Sequence, residues 1–231
     1  MEQKRVAILQ SNYIPWKGYF DLINSVHEFV LLDDVQYTRR DWRNRNKIKT
    51  AQGTRWLTIP VEVSGRFFQT IDRTRVSDPL WHEKHLETVR CYYKRAKFFR
   101  QYEWIFADLH SRCKSAYLSE INRSFIEAIC GILQIPTKIS SSSDYESTGE
   151  KTERLIGLCK RTKALHYLSG PSAKAYLDES LFAQEGITVS YMDYSGYPEY
   201  PQLFPPFIHA VSILDLLFNV GPEAPKYMKS F

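Results

Sequence analysis

The chain has 231 residues, 43% of them apolar, enough to bury a sizeable core, and it carries 31 Lys and Arg against 26 Asp and Glu for a net charge of +5. No run of about 18 apolar residues is present and the N-terminus passes directly into a strand-like segment, so neither a membrane span nor a signal peptide is expected, and the protein reads as cytoplasmic. Cys91, Cys113, Cys130 and Cys159 are widely spaced and contain no C-x-x-C pair, which points to neither a zinc site nor a disulfide framework.

Val6–Leu9 is an apolar run that reads as a buried strand. It opens through Gln10-Ser-Asn-Tyr-Ile-Pro-Trp-Lys-Gly-Tyr-Phe20 into an amphipathic segment, residues 21–26. A strand that turns through Pro and Gly into a helix leaves backbone N–H groups exposed where the helix begins, which is an anion cradle. Gln10, Asn12, Tyr13, Trp16, Gly18 and Tyr19 are the candidate binding residues of this turn; the plainer alternative is a tight β-to-α connection whose aromatics cover the core.

Residues 28–37 form a second apolar run that ends in Asp33 and Asp34, followed by Gln36 and Tyr37. Two strands joined through a helix pair in parallel, and ligands of such sheets sit outside the strands' carboxyl ends, where both segments would lie. Adjacent carboxylates on a strand point to opposite faces, so one works and the other orients or caps. Asp33 is the candidate proton acceptor, and a carboxylate there could also hold Mg2+ or a sugar hydroxyl.

Arg39, Arg40, Arg43, Arg45, Lys47 and Lys49 concentrate positive charge in one stretch, which points to an anionic partner, for which a phosphorylated small molecule suffices. Single-stranded nucleic acid, stacked on Tyr37 and Trp42, is the less favoured reading. Within this stretch Arg43, Asn44, Arg45 and Asn46 alternate cations with amides and are assigned to gripping phosphate or carboxylate.

Residues 56–63 read as a third strand with Pro60 near its edge. Residues 70–78 suggest a short strand and polar loop, and Pro79 a helix start. From Leu80 to Leu133 apolar residues recur at three- and four-residue spacing, as in Leu86, Val89, Tyr93, in Ile105, Leu109, Cys113 and in Ile121, Phe125, Ile129, so two or three helices form an insertion. His82 and His85 share one face there; H-E-x-x-H is missing, so no metal is assigned, and His85 is the candidate acid or base.

Residues 135–139 are a returning strand, Ser140–Ser143 a loop of hydroxyls, and residues 147–152 open a helix in which Lys151 could meet a phosphate, without the Walker pattern. Residues 165–176 repeat the strand, turn, helix pattern, with Ser169, Gly170 and Ser172 as a second set of binding residues. Residues 187–191 form a last parallel strand and residues 211–218 a C-terminal helix ended by Gly221 and Pro222, with a Tyr/Pro-rich loop over 194–204 that could cover a pocket.

These residues reach a known family: the chain resembles the WbqC-like proteins in Gln10-x-Asn-Tyr-x-Pro-Trp-x-Gly-Tyr-Phe-Asp21, Leu32-Asp-Asp-Val-Gln-Tyr37, Asn44-Arg-Asn46, Leu57-Thr-Ile-Pro-Val61, Trp81-x-x-Lys-His85 and Tyr167-Leu-Ser-Gly170. That resemblance implies work on activated sugars in bacterial surface-polysaccharide or O-antigen synthesis. Pro15-Trp-Lys-Gly-Tyr19 also looks like the loop of HIGH-type nucleotidyltransferases, with Trp16 and Tyr19 where that family has histidines, which puts nucleotidyl transfer in doubt.

The expectation is one α/β domain over 1–231 with a mainly parallel, doubly wound, HUP-like sheet and a helical insertion at about 80–133. Its expected function is a transferase that moves an acyl or aminoacyl group onto an amino sugar or nucleotide-activated sugar, with Asp33 or His85 as base and Mg2+ entering with a nucleotide. The alternatives are a non-catalytic nucleotide or sugar-phosphate binding module and a divergent nucleotidyltransferase.

Overall fold

The computed structural model describes residues 3–105, 108, 115–146, 149 and 151–231. Strand β1 (Arg5–Leu9), helix α1 (Lys17–Asn24) and strand β2 (Glu28–Leu31) form the expected β-α-β start. A hairpin of β3 (Arg45–Thr50) and β4 (Gly53–Thr58) follows, then α2 (Trp81–Tyr93), α3 (Phe99–Tyr102) and α4 (Leu118–Ile132). The chain continues through β5 (Lys138–Ser141), α5 (Lys151–Arg161), β6 (His166–Ser169), α6 (Glu179–Gln184), β7 (Thr188–Tyr191) and α7 (Ile213–Val220).

The sheet is five-stranded and parallel in the order β5-β2-β1-β6-β7. Successive strands move outward from β1 through β2 to β5, then cross back to the other side of β1 for β6 and β7. The order therefore reverses between β1 and β6, where open α/β sheets hold their ligands. The ladder between these two strands covers only Arg5↔His166 and Val6↔Tyr167, their amino-terminal part.

Side-chain alternation along the strands feeds two cores. Val6, Ile8 and Val30 meet Leu155, Leu158 and Phe182 from α5 and α6 on one face. Ala7, Phe29 and Leu31 meet α1, α2, α4 and α7 on the other. The doubly wound plan follows from that alternation. Helix α4 is held by Leu118, Ile121, Phe125, Ile126 and Ile129, all buried on one stripe, each contributing about 1.5–3 kcal/mol of apolar burial. Helix α7 ends where Gly221 takes φ +56°, and a Cβ there would sit 2.5 Å from the Phe98 ring, so that position admits only glycine.

Three expectations are corrected. The segment at 56–63 does not join the main sheet: Trp56–Thr58 pair antiparallel with Arg45–Lys47 in a separate two-stranded hairpin. Ser140 and Ser141 belong to β5 and Ser142 to a 3-10 turn, with Ser140 donating to Glu28 (2.8 Å) and Ser142 to Asp34 (2.6 Å), so these hydroxyls serve the fold. After β6 the turn leads into a short 3-10 helix, Pro171–Ala175, rather than an α-helix. The expected helical positions Leu109 and Cys113, and Ser147, Thr148 and Glu150 of the helix opening, lie outside the described residues.

Helix α7 is fastened to the rest by Asp215, fully buried, whose carboxylate accepts from Tyr93 (2.7 Å), Tyr200 (2.8 Å) and Gln202 Nε2 (2.9 Å). Asp215→Ala leaves the buried hydroxyls of Tyr93 and Tyr200 unpaired, while Gln202 Nε2 keeps the Ile208 carbonyl (2.9 Å), and is expected to cost at least about 2 kcal/mol, lowering Tm by roughly 4–8 °C. A melting curve that superimposes on wild type would show that these bonds are not made.

Candidate functional site

Where β1 runs out, the backbone meets a buried polar network. The Ser11 N–H donates to Asp33 Oδ1 (2.8 Å) at the end of β2, and Asn122 Nδ2 of α4 donates to both Ser11 Oγ (3.0 Å) and the Arg43 carbonyl (2.9 Å). The Tyr13 N–H donates to the Trp42 carbonyl (3.0 Å), which lays residues 42–43 alongside the first turn. Arg43 then reaches back: its guanidinium donates to Gln10 Oε1 (2.8 Å) and to Asn12 Oδ1.

Both amide oxygens are taken by one cation, so the amide nitrogens of Gln10 and Asn12 are the atoms left to face outward. Among the described residues neither nitrogen has a protein partner. Both side chains, with Arg43, line a cleft of about 930 Å³ at the carboxyl ends of β1 and β6. Leu9, Trp16, Tyr19, Leu32 and Gln36 continue that wall. Ser169, Gly170, Ser172 and Tyr176 line the side beyond β6. Lys151 and Arg154 enter from α5, and Tyr194 from the Tyr/Pro-rich loop. The cleft thus combines N–H donors, hydroxyls and cations with flat aromatic faces, a composition suited to an anion-bearing ligand that carries rings.

Nine of the residues expected to bind ligand meet in this cleft: Gln10, Asn12, Trp16, Tyr19, Gln36, Arg43, Ser169, Gly170 and Ser172. The others lie elsewhere. Gly18 is covered by the Trp16 indole, and a Cβ there would sit 2.3 Å from the ring, so glycine admits the indole and the helix start presents an aromatic in place of the expected anion cradle. Tyr13 is fully buried among Trp81, Phe125 and His85. Tyr37 is buried and tied through its backbone to Gln69.

Asn44 and Asn46 face inward, as alternate residues of β3 and its entry must. Asn44 Nδ2 donates to the Ile59 carbonyl (2.8 Å). Asn46 Nδ2 donates to the carbonyls of Tyr13 (3.0 Å) and Ile14 (2.9 Å), steadying a turn in which the β-branched Ile14 has φ +40°. Arg45 lies over the Trp56 ring at 4.1 Å rather than in the cleft. The alternation of amides and cations therefore reflects strand geometry, and only Arg43 of this stretch's cations reaches the cleft.

The two titratable candidates are enclosed. Asp33 is 4% exposed and stands behind the cleft wall; burial pushes its carboxyl up to about 6, against the Ser11 hydrogen bonds and the Arg43 charge, which pull it down. His85 accepts or donates at Nδ1 with the Tyr13 hydroxyl (2.9 Å) and meets the Thr58 carbonyl through Nε2 (3.1 Å), and burial pushes it down to about 4. An imidazole so placed stays neutral and packs the scaffold, so His85 is not carried forward as acid or base. Asp34, like Asp33 just past the end of β2, is held elsewhere, by Ser142 and Arg154. Among the described residues no group of three or more His, Cys, Asp or Glu is placed to hold a metal.

Sequence reasoning passed over Arg154, Tyr176 and Tyr194 as binding residues. Lys151 and, one helical turn on, Arg154 share a face of α5, and that spacing is the signal in the sequence for a cationic stripe turned toward the site.

The folded Asp33 carboxyl keeps its proton to a higher pH than an unfolded one, so its contribution to stability is present below roughly pH 4 and is lost as pH rises through about 6. Asp33→Asn keeps an oxygen for the Ser11 N–H and carries no charge. Relative to wild type it is expected to gain about 3 kcal/mol between pH 4 and pH 7 in urea denaturation. A difference that stays flat with pH would show an ordinary carboxyl at this position.

Against known proteins, the model described as the WbqC-like protein family matches residues 10–227. The chain is also 50% identical over 227 residues to the uncharacterized protein Rv1507c of Mycobacterium tuberculosis (strain ATCC 25618 / H37Rv), covering 98% of each chain. No solved structure matches it. A family match that takes in the whole first turn, the Arg43 network, four of the five strands of the sheet and α7 leaves one conclusion, that this chain belongs to the WbqC-like family.

Proposed function

We propose that the whole chain acts as one domain and works in the cytoplasm as a transferase of bacterial surface-polysaccharide synthesis, moving an acyl or aminoacyl group onto an amino sugar, free or nucleotide-activated. The observation that supports this most is the cleft at the strand-order reversal, where Arg43 turns the amides of Gln10 and Asn12 into paired N–H donors in a lining that also holds Lys151 and the Asp34-paired Arg154. Such a wall favours the acceptor-only oxygens of a phosphate or diphosphate. Trp16, Tyr176 and Tyr194 supply flat faces for a base or sugar ring. Mg2+ would enter with the nucleotide, as a counter-charge on its phosphates.

A second reading, a non-catalytic nucleotide or sugar-phosphate binding module, is favoured by one specific observation: Asp33 and His85 are both buried and neither lines the cleft. Among the described residues no histidine lines the cleft, which favours the module over a divergent nucleotidyltransferase. Turnover with an acyl donor separates the transferase from the module.

Isothermal titration of nucleotide sugars, with and without Mg2+, tests the cleft. Arg43→Ala is expected to weaken binding by roughly 10–100-fold at low salt, with a smaller difference at high salt. Gly170 has φ −74°, open to any residue, and no atom lies within 4 Å of a Cβ built there. Gly170→Leu is therefore expected to leave Tm unchanged while filling the cleft and abolishing binding. Affinity equal to wild type in both variants would remove the assignment.

A further inference from the structure

Beside the cleft, and sharing Asn12, Trp16 and Trp42 with it, lies a smaller pocket of about 280 Å³. Its walls are apolar, with Ala210 closing one side, and its polar members are Asn12, Asn46 and His209. Asn46 has nothing to offer a ligand: its Nδ2 is held by two carbonyls and its Oδ1 accepts the Lys47 N–H (2.8 Å). Asn12 Oδ1 is held by Arg43, so Asn12 contributes its amide N–H alone. His209 is exposed at the rim, edge-on to Phe207 with ring centroids 4.6 Å apart. Partial burial, and after it the Lys17 ammonium, lower its pKa against the opposite pull of Glu199, so it presents a neutral ring with a free acceptor nitrogen.

The chamber therefore offers one N–H donor, one acceptor and otherwise indole and aliphatic surface. A charged group entering it would lose water without an ionic partner, and a pyranose ring would leave most of its hydroxyls unpaired. An amide with a short alkyl tail matches it: one C=O, one N–H and a small apolar remainder.

We propose that this pocket is an acyl subsite, taking the acylamino group of an N-acylated amino sugar with its carbonyl oxygen on Asn12 Nδ2, its N–H on His209 and its alkyl part between Trp16 and Trp42. The inference rests on reading the neighbouring cleft as the site of a nucleotide-activated amino sugar, and it adds where the transferred group sits. It makes the pocket the place that recognises the acyl group, because the two indoles, Pro15 and Ala210 give it apolar walls around a single amide donor.

Calorimetric titration tests it. ADP, GDP, UDP and dTDP are compared first, and the tightest is then taken on as its hexosamine and its N-acetylhexosamine conjugates. Wild type is expected to bind the N-acetyl conjugate roughly ten-fold more tightly than the free amine. Ala210→Trp fills the pocket from its exposed rim, and His209→Phe removes the acceptor; each is expected to erase that preference while leaving affinity for the nucleoside diphosphate unchanged. Preference absent in wild type, or retained in both variants, overturns the acyl subsite while the cleft assignment stands. Failure of all four nucleoside diphosphates to bind overturns the cleft reading and the subsite with it.

Discussion

The guanidinium of Arg43 sets the chemistry of the cleft, because everything that faces a ligand near β1 takes its orientation from that one group. Free amides rotate and present either oxygen or nitrogen. With both oxygens of Gln10 and Asn12 bound to a cation, only N–H groups remain outward, and the wall becomes a donor surface beside a positive charge. Buried polar groups need hydrogen-bond partners, and among the described residues the network supplies them for all but Arg43 Nε and Asn122 Oδ1. Asn122 and Tyr13 meet that need by tying the backbone of residues 42–43 to the first turn and to α4.

The same demand explains why the groups best suited to acid or base chemistry by type are spent on structure. Asp33 is the acceptor for the Ser11 N–H at the point where the strand ladder stops, and its charge balances Arg43 across a buried wall. His85 joins Tyr13 to the Thr58 carbonyl and so links α2, the first turn and the hairpin. Lys17, buried at the start of α1, donates to the carbonyls of Pro198 (3.0 Å) and Tyr227 (2.9 Å), and burial lowers it to about 8. Polar side chains brace a turn whose apolar members alone could not hold Ile14 at a positive φ.

Several signals were legible in the chain because their physical basis is local. The apolar run Val6–Leu9, the Pro15 to Gly18 turn and the helical stripe of Ile121, Phe125 and Ile129 report elements whose period depends on neighbours in sequence. The Gly170 turn was legible for the same reason. Residues 42–48 were ambiguous, since alternating cations and amides suit an anion grip and a two-faced strand equally, and the hairpin partner Trp56, which draws Arg45 and Lys47 onto its ring, is invisible without the fold.

The sequence by itself determined the parallel α/β class, the two strand-ending turns that meet at the cleft, and membership of a family, because hydrophobic period, turn residues and motif spacing are properties of the chain. Which side chains face the ligand was decided only by tertiary structure. Arg43 and Arg45 differ by one strand repeat and have the same charge, yet one closes onto Gln10 and Asn12 while the other stacks on Trp56. Arg154 and Tyr194, which line the cleft, and His209, which lines the smaller pocket beside it, come from segments far apart in sequence, and their placement depends on the crossover that carries the chain back past β1. Direction and company of a side chain are set by long-range packing, and no local pattern encodes them.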